Sequence, residues 1–365
     1  MRTLSTAALL FLALTTASGA RAGELRAPRV LSQVRLAPPK ALELFPLQRS
    51  QPVAHGRDGM SFVAGRSGRV WGLNADGTVR WVRPVGAPVD AGLTLEGEGL
   101  FVATSDGLIL ALDPLSGDER WRYRLSHPVE RSPVFSEGVL VVPSSGDSVT
   151  ALDAKSGRFL WFYRRPRGAG MTVSGSAGVA VSAGRVVAAF SDGAVVTLAF
   201  DDGRVVWERV FPSKTSFVDI DATPVVVGEG VFVASFEGAV YSLSLLDGAV
   251  RWSVETGQRI TQAVKAGKHL VVAGPGAALA LRPSDGKRLW RAPLAEGNPA
   301  EPIVHRGQLL VGTDQGPLYG LSLRTGRHLT AFGPGNGVSA APQVGPDNAL
   351  WVWTNGGVLY KLSWP

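Results

Sequence analysis

The stretch SFVDIDATPVVV, residues 216–227, holds two carboxylates two positions apart, just upstream of a run of valines. If the segment is extended, its side chains alternate, so Asp219 and Asp221 share one face with Cα atoms roughly 6.5–7 Å apart. Four kinds of chemistry use a close acid pair: cleavage of a glycosidic bond, cation binding, docking of a basic or polar partner, and bonds to nearby loop N–H groups. A glycosidase needs its carboxyls on either side of a substrate cleft, whereas these two share one strand face. Calcium asks for six or more oxygens, and no D-x-D-x-D-G loop surrounds the pair. Partner docking and ordinary turn bonding are the readings left open.

Other reactive constellations are sparse. The histidines His55, His127, His269, His305 and His328 show neither H-x-x-x-H nor HExxH spacing, which predicts no metal site among them. VSGSAG (173–178) has the outline of a nucleophile elbow without the strand–turn–helix context that motif requires. GPGAAL and GPGNG read as turn glycines, since no helix follows either to cradle a phosphate. The densest basic cluster, RRPRG (164–168), reads as a solvated loop. There is no cysteine, which removes disulfides, thiol catalysis, cysteine-ligated zinc and lipid attachment to cysteine. The expectation is a protein without cofactor, metal or catalytic residues.

The bulk of the chain agrees with an exported scaffold. Its 365 residues are 45% hydrophobic, ample for a large core. Arg2, an apolar run from Leu4 to Leu14 and the small-x-small site Ala20-Arg21-Ala22 predict a secretory signal peptide over residues 1–22. That run is too short to span a bilayer. Cleavage removes Arg2 and Arg21 and no acid, lowering the formal charge from +7 to +5. So small a surplus, without long Lys/Arg runs, argues against a nucleic-acid partner. The mature chain is expected to be an exported, soluble monomer, with any membrane association indirect.

The elements that must position Asp219 and Asp221 emerge from an internal repeat. ALDPLSGDERW (111–121), ALDAKSGRFLW (151–161), TLAFDDGRVVW (197–207), SLSLLDGAVRW (242–252) and ALRPSDGKRLW (280–290) are copies of one phrase. GLNADGTVRW (72–81) is a shortened copy, and GLSLRTGRHLT (320–330) has Thr330 in place of the tryptophan. The end positions 81, 121, 161, 207, 252, 290 and 330 are spaced by 40, 40, 46, 45, 38 and 40 residues. Each copy reads as strand, Gly-containing turn, then a strand carrying tryptophan. A hairpin and a short apolar segment precede it, making four strands per period, the size of a propeller blade. Eight inner hairpins can be counted, at 61–73, 100–112, 139–152, 186–198, 231–243, 270–281, 309–321 and 350–362, but only seven have a fourth strand after them. RVLSQVRLAP (29–38) or KALELF (40–45) is the natural donor of the eighth.

The prediction is an all-β fold: one eight-bladed β-propeller over residues 23–365, built of four-stranded antiparallel blades. An N-terminal strand closes the last blade and leaves no open sheet edge in the ring. The repeated tryptophans read as wedges between neighbouring sheets, because ring symmetry spreads them around the circumference instead of converging them on a ligand. Asp219 and Asp221 precede the innermost strand of a blade. They are expected at the rim where the connection enters the ring, open to a partner.

The phrase A-L-D-x-x-[ST]-G-x-x-x-W, intact at 111–121 and 151–161, resembles the repeat of the pyrroloquinoline-quinone (PQQ) propeller superfamily. VDIDATPVVVGEGVFVASFEGAVYSLSLLDGAVRW (218–252) and the closing VSAAPQVGPDNALWVWTNGGVLYKLS are similar to the BamB family, propeller subunits of the bacterial outer-membrane β-barrel assembly machine. That resemblance implies a non-enzymatic scaffold docking on the periplasmic POTRA domains of a BamA-like subunit. Other barrel-assembly components or unfolded outer-membrane proteins are further implied partners. By position it makes Asp219 and Asp221 acidic contacts, and Met171 and Val173 apolar contacts. Two departures stand out. BamB proteins are typically lipoproteins, and this chain has no cysteine to acylate. In addition, Ser174 occupies the place of an arginine in the family's Leu-x-Leu-Arg phrase, losing a charge and a bidentate donor. Quinoprotein dehydrogenases share the repeat but are longer and enclose a quinone with calcium, for which the connections here leave no room. A periplasmic propeller for some other protein or glycan is the remaining alternative.

Overall fold

The computed structural model describes residues 25–36, 54–55, 59–166, 177–211 and 220–365. The expected signal peptide at residues 1–22, the candidate strand at 40–45 and the candidate contacts Met171, Val173 and Asp219 lie outside the described residues.

The strands form eight four-stranded antiparallel sheets, the blades of one β-propeller. Blades 1 to 7 each use four consecutive strands, covering residues 54–84, 94–124, 134–164, 179–210, 225–255, 262–293 and 303–332. Blade 8 takes three strands from 343–363 and its outermost from Arg29–Arg35, which runs antiparallel to Val358–Ser363. Of the two donors offered by the sequence, the first closes the ring.

Burial follows each strand's place in its blade. The second and third strands lie between neighbouring sheets and are apolar on both faces: Gly99–Ala103 and Ala277–Leu281 are buried throughout. Fourth strands form the circumference and alternate. In Glu119–Arg124 the residues facing the next blade are half-buried and the others exposed. Each blade contributes one side to two inter-blade cores, so the interior is a ring of wedges with no single centre.

The repeat phrase has a mechanical explanation. Its aspartate builds the turn: Asp113 Oδ1 accepts the N–H groups of Leu115 and Ser116 at 2.8 and 3.0 Å, and Asp153 Oδ1 accepts that of Ser156 at 2.8 Å. Its tryptophan reaches into the next blade. Trp81, Trp121, Trp161, Trp207, Trp252 and Trp290 donate through Nε1 to the carbonyls of Pro114, Ala154, Phe200, Leu245, Pro283 and Leu323 at 2.8–3.0 Å. Each indole lies on the turn glycine of that next blade. A Cβ on Gly203, for example, would come within 2.6 Å of the Trp161 ring, and Gly203 has φ +71°. Glycine is thus required twice there, by backbone conformation and by the ring above it.

Where Thr330 replaces the tryptophan, the seam between blades 7 and 8 is built differently. Gln308 Oε1 accepts from Thr330 Oγ1 at 3.0 Å and from Trp364 Nε1 at 3.2 Å, while Gln308 Nε2 donates to the Pro365 carbonyl at 2.9 Å. Trp364 is fully buried. The N-terminal segment crosses this seam: Arg26 N–H donates to the Leu329 carbonyl of blade 7 at 3.0 Å before residues 29–35 join blade 8.

The antiparallel order gives the disc two unlike faces. Turns between first and second strands and between third and fourth strands open on one face, here the turn face. Turns between second and third strands share the other, the connection face, with the segments that lead from each outer strand to the next blade's inner strand. Ser105 N–H to Pro88 O at 2.8 Å and Ser145 N–H to Pro128 O at 2.9 Å tie such turns to such segments.

Candidate functional site

Of the connections between blade 1 and blade 8 in chain order, two are longer than the rest, and they flank blade 4: residues 165–178 lead into it and residues 211–224 lead out. Their stems are anchored together. Ala177 from the first, and Phe211 and Ile220 from the second, belong to one buried cluster with Val187, Val195, Val231 and Leu243 between blades 4 and 5. Phe211 stacks on Tyr241 with ring centroids 4.1 Å apart. Gly178 packs so closely on Thr223 that a Cβ there would strike the Thr223 hydroxyl. The described ends of both connections therefore share one base.

The first stem is also held electrostatically. Arg165 is largely buried and ion-paired to Asp192 through Nε and to Glu208 through Nη1, the latter at 2.7 Å. Burial alone would depress its pKa, but the hydrogen bonds to Glu208 and Asp192 outweigh that and push it up, so it stays cationic. Its backbone N–H donates to the Asp147 carbonyl of blade 3 at 2.9 Å. Asp147 in turn accepts from the Ser191 hydroxyl at 3.0 Å, linking blades 3 and 4 beneath the connection.

Asp221 differs from the expectation of a carboxylate open to a partner. It is 2% exposed, between Ile220 at 1% and Ala222 at 0%. Three successive buried residues are not an alternating strand: this stretch is irregular, and the inner strand begins only at Val225. The chain here passes beneath the connection face toward the propeller axis, with protein on every side. The Asp221 carbonyl accepts from Arg131 Nη2 at 3.0 Å, a reach from the entry of blade 3 to the entry of blade 5. Asp221 thus belongs to the buried frame of the ring.

Sequence reasoning did not single out Arg131 or its counterpart Glu301 at the entry of blade 7. No spacing rule joins residues 170 positions apart; only the ring brings their positions around one axis. Glu301 is accessible to solvent, yet the protein atoms crowded around it withdraw it in part from bulk water. Loss of bulk water raises its pKa, and the positive charge of Arg131 offsets only part of that rise. A carboxyl whose pKa is higher folded than unfolded adds nothing adverse below its ordinary value of 4.5. It becomes a growing penalty as pH climbs from there through the raised value. Glu301→Gln is therefore expected to raise the melting temperature at neutral pH and to leave it unchanged near pH 4, as read by scanning calorimetry at both pH values. Equal shifts at both would refute the assignment.

The described residues contain no group of three or more His, Asp or Glu side chains that could hold a metal ion. A quinone with its calcium needs a convergent set of oxygen ligands at the axis, and Arg131 and Glu301 there do not fit one.

Eight four-stranded blades, tryptophan-on-glycine seams and an N-terminal strand closing the ring define a propeller of the PQQ-repeat class. Within that class, the family model described as outer membrane protein assembly factor BamB matches residues 25–113, 66–253 and 237–354. The chain belongs to that family. It is similar to outer membrane protein assembly factor BamB of Yersinia pestis, 26% identical over 201 residues that make up 53% of this chain and 51% of the relative. It is 29% identical to that of Legionella pneumophila over 185 residues, 49% of this chain and 48% of the relative. The matched stretch thus spans about half the length of these curated relatives. The crystal structure of BamB from Moraxella catarrhalis superposes with a TM-score of 0.78 at 22% identity, covering 93% of this chain and 100% of that one. A quinohemoprotein alcohol dehydrogenase from Comamonas testosteroni superposes with a TM-score of 0.71 at 14% identity, covering 92% and 76%. At such identities these likenesses describe the fold alone.

Proposed function

We propose that this chain is a non-catalytic periplasmic scaffold that docks on the POTRA region of a BamA-like subunit and assists assembly of outer-membrane β-barrels. Its contacts would be Asp219 from one long connection and Met171 and Val173 from the other. The observation that carries this reading is the shared base of the two connections, with Ala177, Phe211 and Ile220 in one core cluster and Gly178 against Thr223. Fixing the roots of both loops lowers the ordering cost of presenting an apolar pair beside an acid. The apolar pair supplies desolvation, and the carboxylate supplies register against a basic or polar patch. Membership of the assembly-factor family points the same way.

The burial of Asp221 separates the roles of the two aspartates. Asp219→Arg is expected to weaken capture by immobilised POTRA domains by about tenfold or more while leaving the melting temperature unchanged. Asp221→Ala should instead leave capture by the folded protein unchanged and shift only the melting temperature, because this side chain is buried away from any partner. Binding and calorimetry on both variants test the assignment. An Asp219→Arg protein that is folded and binds as tightly as its parent would sink the docking proposal.

A further inference from the structure

The turn face carries a charge asymmetry that the docking reading leaves unused. In blades 6 and 7 its four turns are KAGK (265–268), RPSDGK (282–287), HRG (305–307) and LRTGR (323–327), with Asp285 their one acid. Asp285 is ion-paired to Arg282 at 2.8 Å. Lys265, Lys268, Lys287, Arg306, Arg324 and Arg327 are exposed, and among the described residues none of the six has a carboxylate within ion-pair distance. Blade 2, diametrically opposite in a ring of eight, presents EGE (96–98) and DPLSGDE (113–119) on the same face, five acids of which Glu98 and Asp113 are ion-paired to Arg120, and Glu119 to Arg122 and Arg83. Blades 6 and 7 thus carry an unneutralised cationic sector, while the acids of the far sector are mostly paired.

Two apolar features sit within or beside the cationic sector. Leu246, in the adjoining turn of blade 5, is 76% exposed, the highest value among the large hydrophobic side chains of the described residues. On the same face a cavity of about 110 Å³ opens between blades 5 and 6, walled by Val227, Phe232, Leu270 and Pro283, with Lys265, Lys268 and His269 around it. His269 Nδ1 is buried without a hydrogen-bond partner, and burial lowers its pKa, so the ring is neutral at pH 7. Unneutralised lysines and arginines on a flat surface, with a protruding leucine and a small apolar slot, match the layering of an anionic bilayer: charged headgroups outside, hydrocarbon beneath.

We propose that the turn face of blades 6 and 7, with Leu246 of blade 5, is a docking surface for an anionic phospholipid bilayer. The six cations meet headgroup phosphates and Leu246 enters the acyl boundary, so that blades 6 and 7 approach the membrane first. The connection face, on the opposite side, stays free for a protein partner.

The test is flotation of the purified full-length mature chain with vesicles of phosphatidylglycerol mixed with phosphatidylcholine, and with vesicles of phosphatidylcholine alone. The expected result is partition onto the anionic vesicles only, weakening as salt rises. Each cation removed should cost roughly fivefold in partition. Combining Lys265→Glu, Lys268→Glu, Arg324→Glu and Arg327→Glu should therefore lower it by about a hundredfold or more, whereas Arg158→Glu with Arg204→Glu, in turns of blades 3 and 4, should change it little. Leu246→Ser should lower it separately by a few-fold. All these positions are in exposed turns, and circular dichroism verifies the fold of each variant. Equal partition onto neutral vesicles, or an unchanged partition of the quadruple variant, overturns the proposal. Capture by soluble polyglutamate without vesicle binding also overturns it, in favour of an acidic protein partner. None of these readouts involves the POTRA domains, so failure here and failure of the docking reading remain distinguishable.

Discussion

Deleting Arg29–Arg35 is expected to abolish the single cooperative melting transition of the propeller and leave a protein that aggregates on mild warming. The deleted strand pairs through six residues with Val358–Ser363. At about 1 kcal/mol net per backbone hydrogen bond, the loss is on the order of 5 kcal/mol, comparable with the whole stability of many domains. The damage spreads further, because Arg26 no longer bridges to blade 7 and the 358–363 strand becomes an unpaired edge. Calorimetry and light scattering on the truncated chain check this. Adding back a peptide of residues 26–36 should recover the transition. A truncated chain that melts as the parent does would show that the ring holds without its closing strand.

The second large effect lies at a blade seam. Trp161→Ala is expected to cost about 3–5 kcal/mol, the range for truncating a buried large aromatic, since Trp161 loses both its packing and its 2.8 Å bond to the Phe200 carbonyl. Gly203→Ala should also destabilise, by left-handed backbone strain and by collision with the indole. The collision disappears once the ring is gone, whereas the strain remains. Chemical denaturation of both single variants and the double variant should therefore show a positive coupling of about 1 kcal/mol or more. Strict additivity would mean that ring and glycine do not act as one unit.

The blade count and the closure were legible because they rest on spacing. The phrase ending at Trp121, Trp161 and Trp207 recurs at blade length, and the turn chemistry of Asp113 and Gly117 can be read residue by residue. The wedge role of the tryptophans was legible for the same reason: one residue type at one position in nearly every copy. The choice between residues 29–38 and 40–45 as closing strand was not, since both are short segments of mixed polarity and nothing local sets their partner. Asp221 was misplaced for a different reason. Alternation was assumed across 218–221, but the stretch from 220 to 222 is irregular and enclosed, so both sides of the chain are buried. Arg131 and Glu301 carried no local signal. Their importance comes from the axis, which exists only once eight sheets have closed around it.

The join between first and last strands has a consequence for biogenesis. Arg35 donates to the Gly356 carbonyl across a sequence separation of 321 residues, so this strand is synthesised long before the one that completes its pairing. Seven blades can collapse from local hairpins as they appear, which is fast, whereas the final join must bring together distant ends and is slow. Until it forms, the newly made chain carries one vacant sheet edge on a nearly finished disc. That interval is when it most needs protection from proteases and from other unfolded chains.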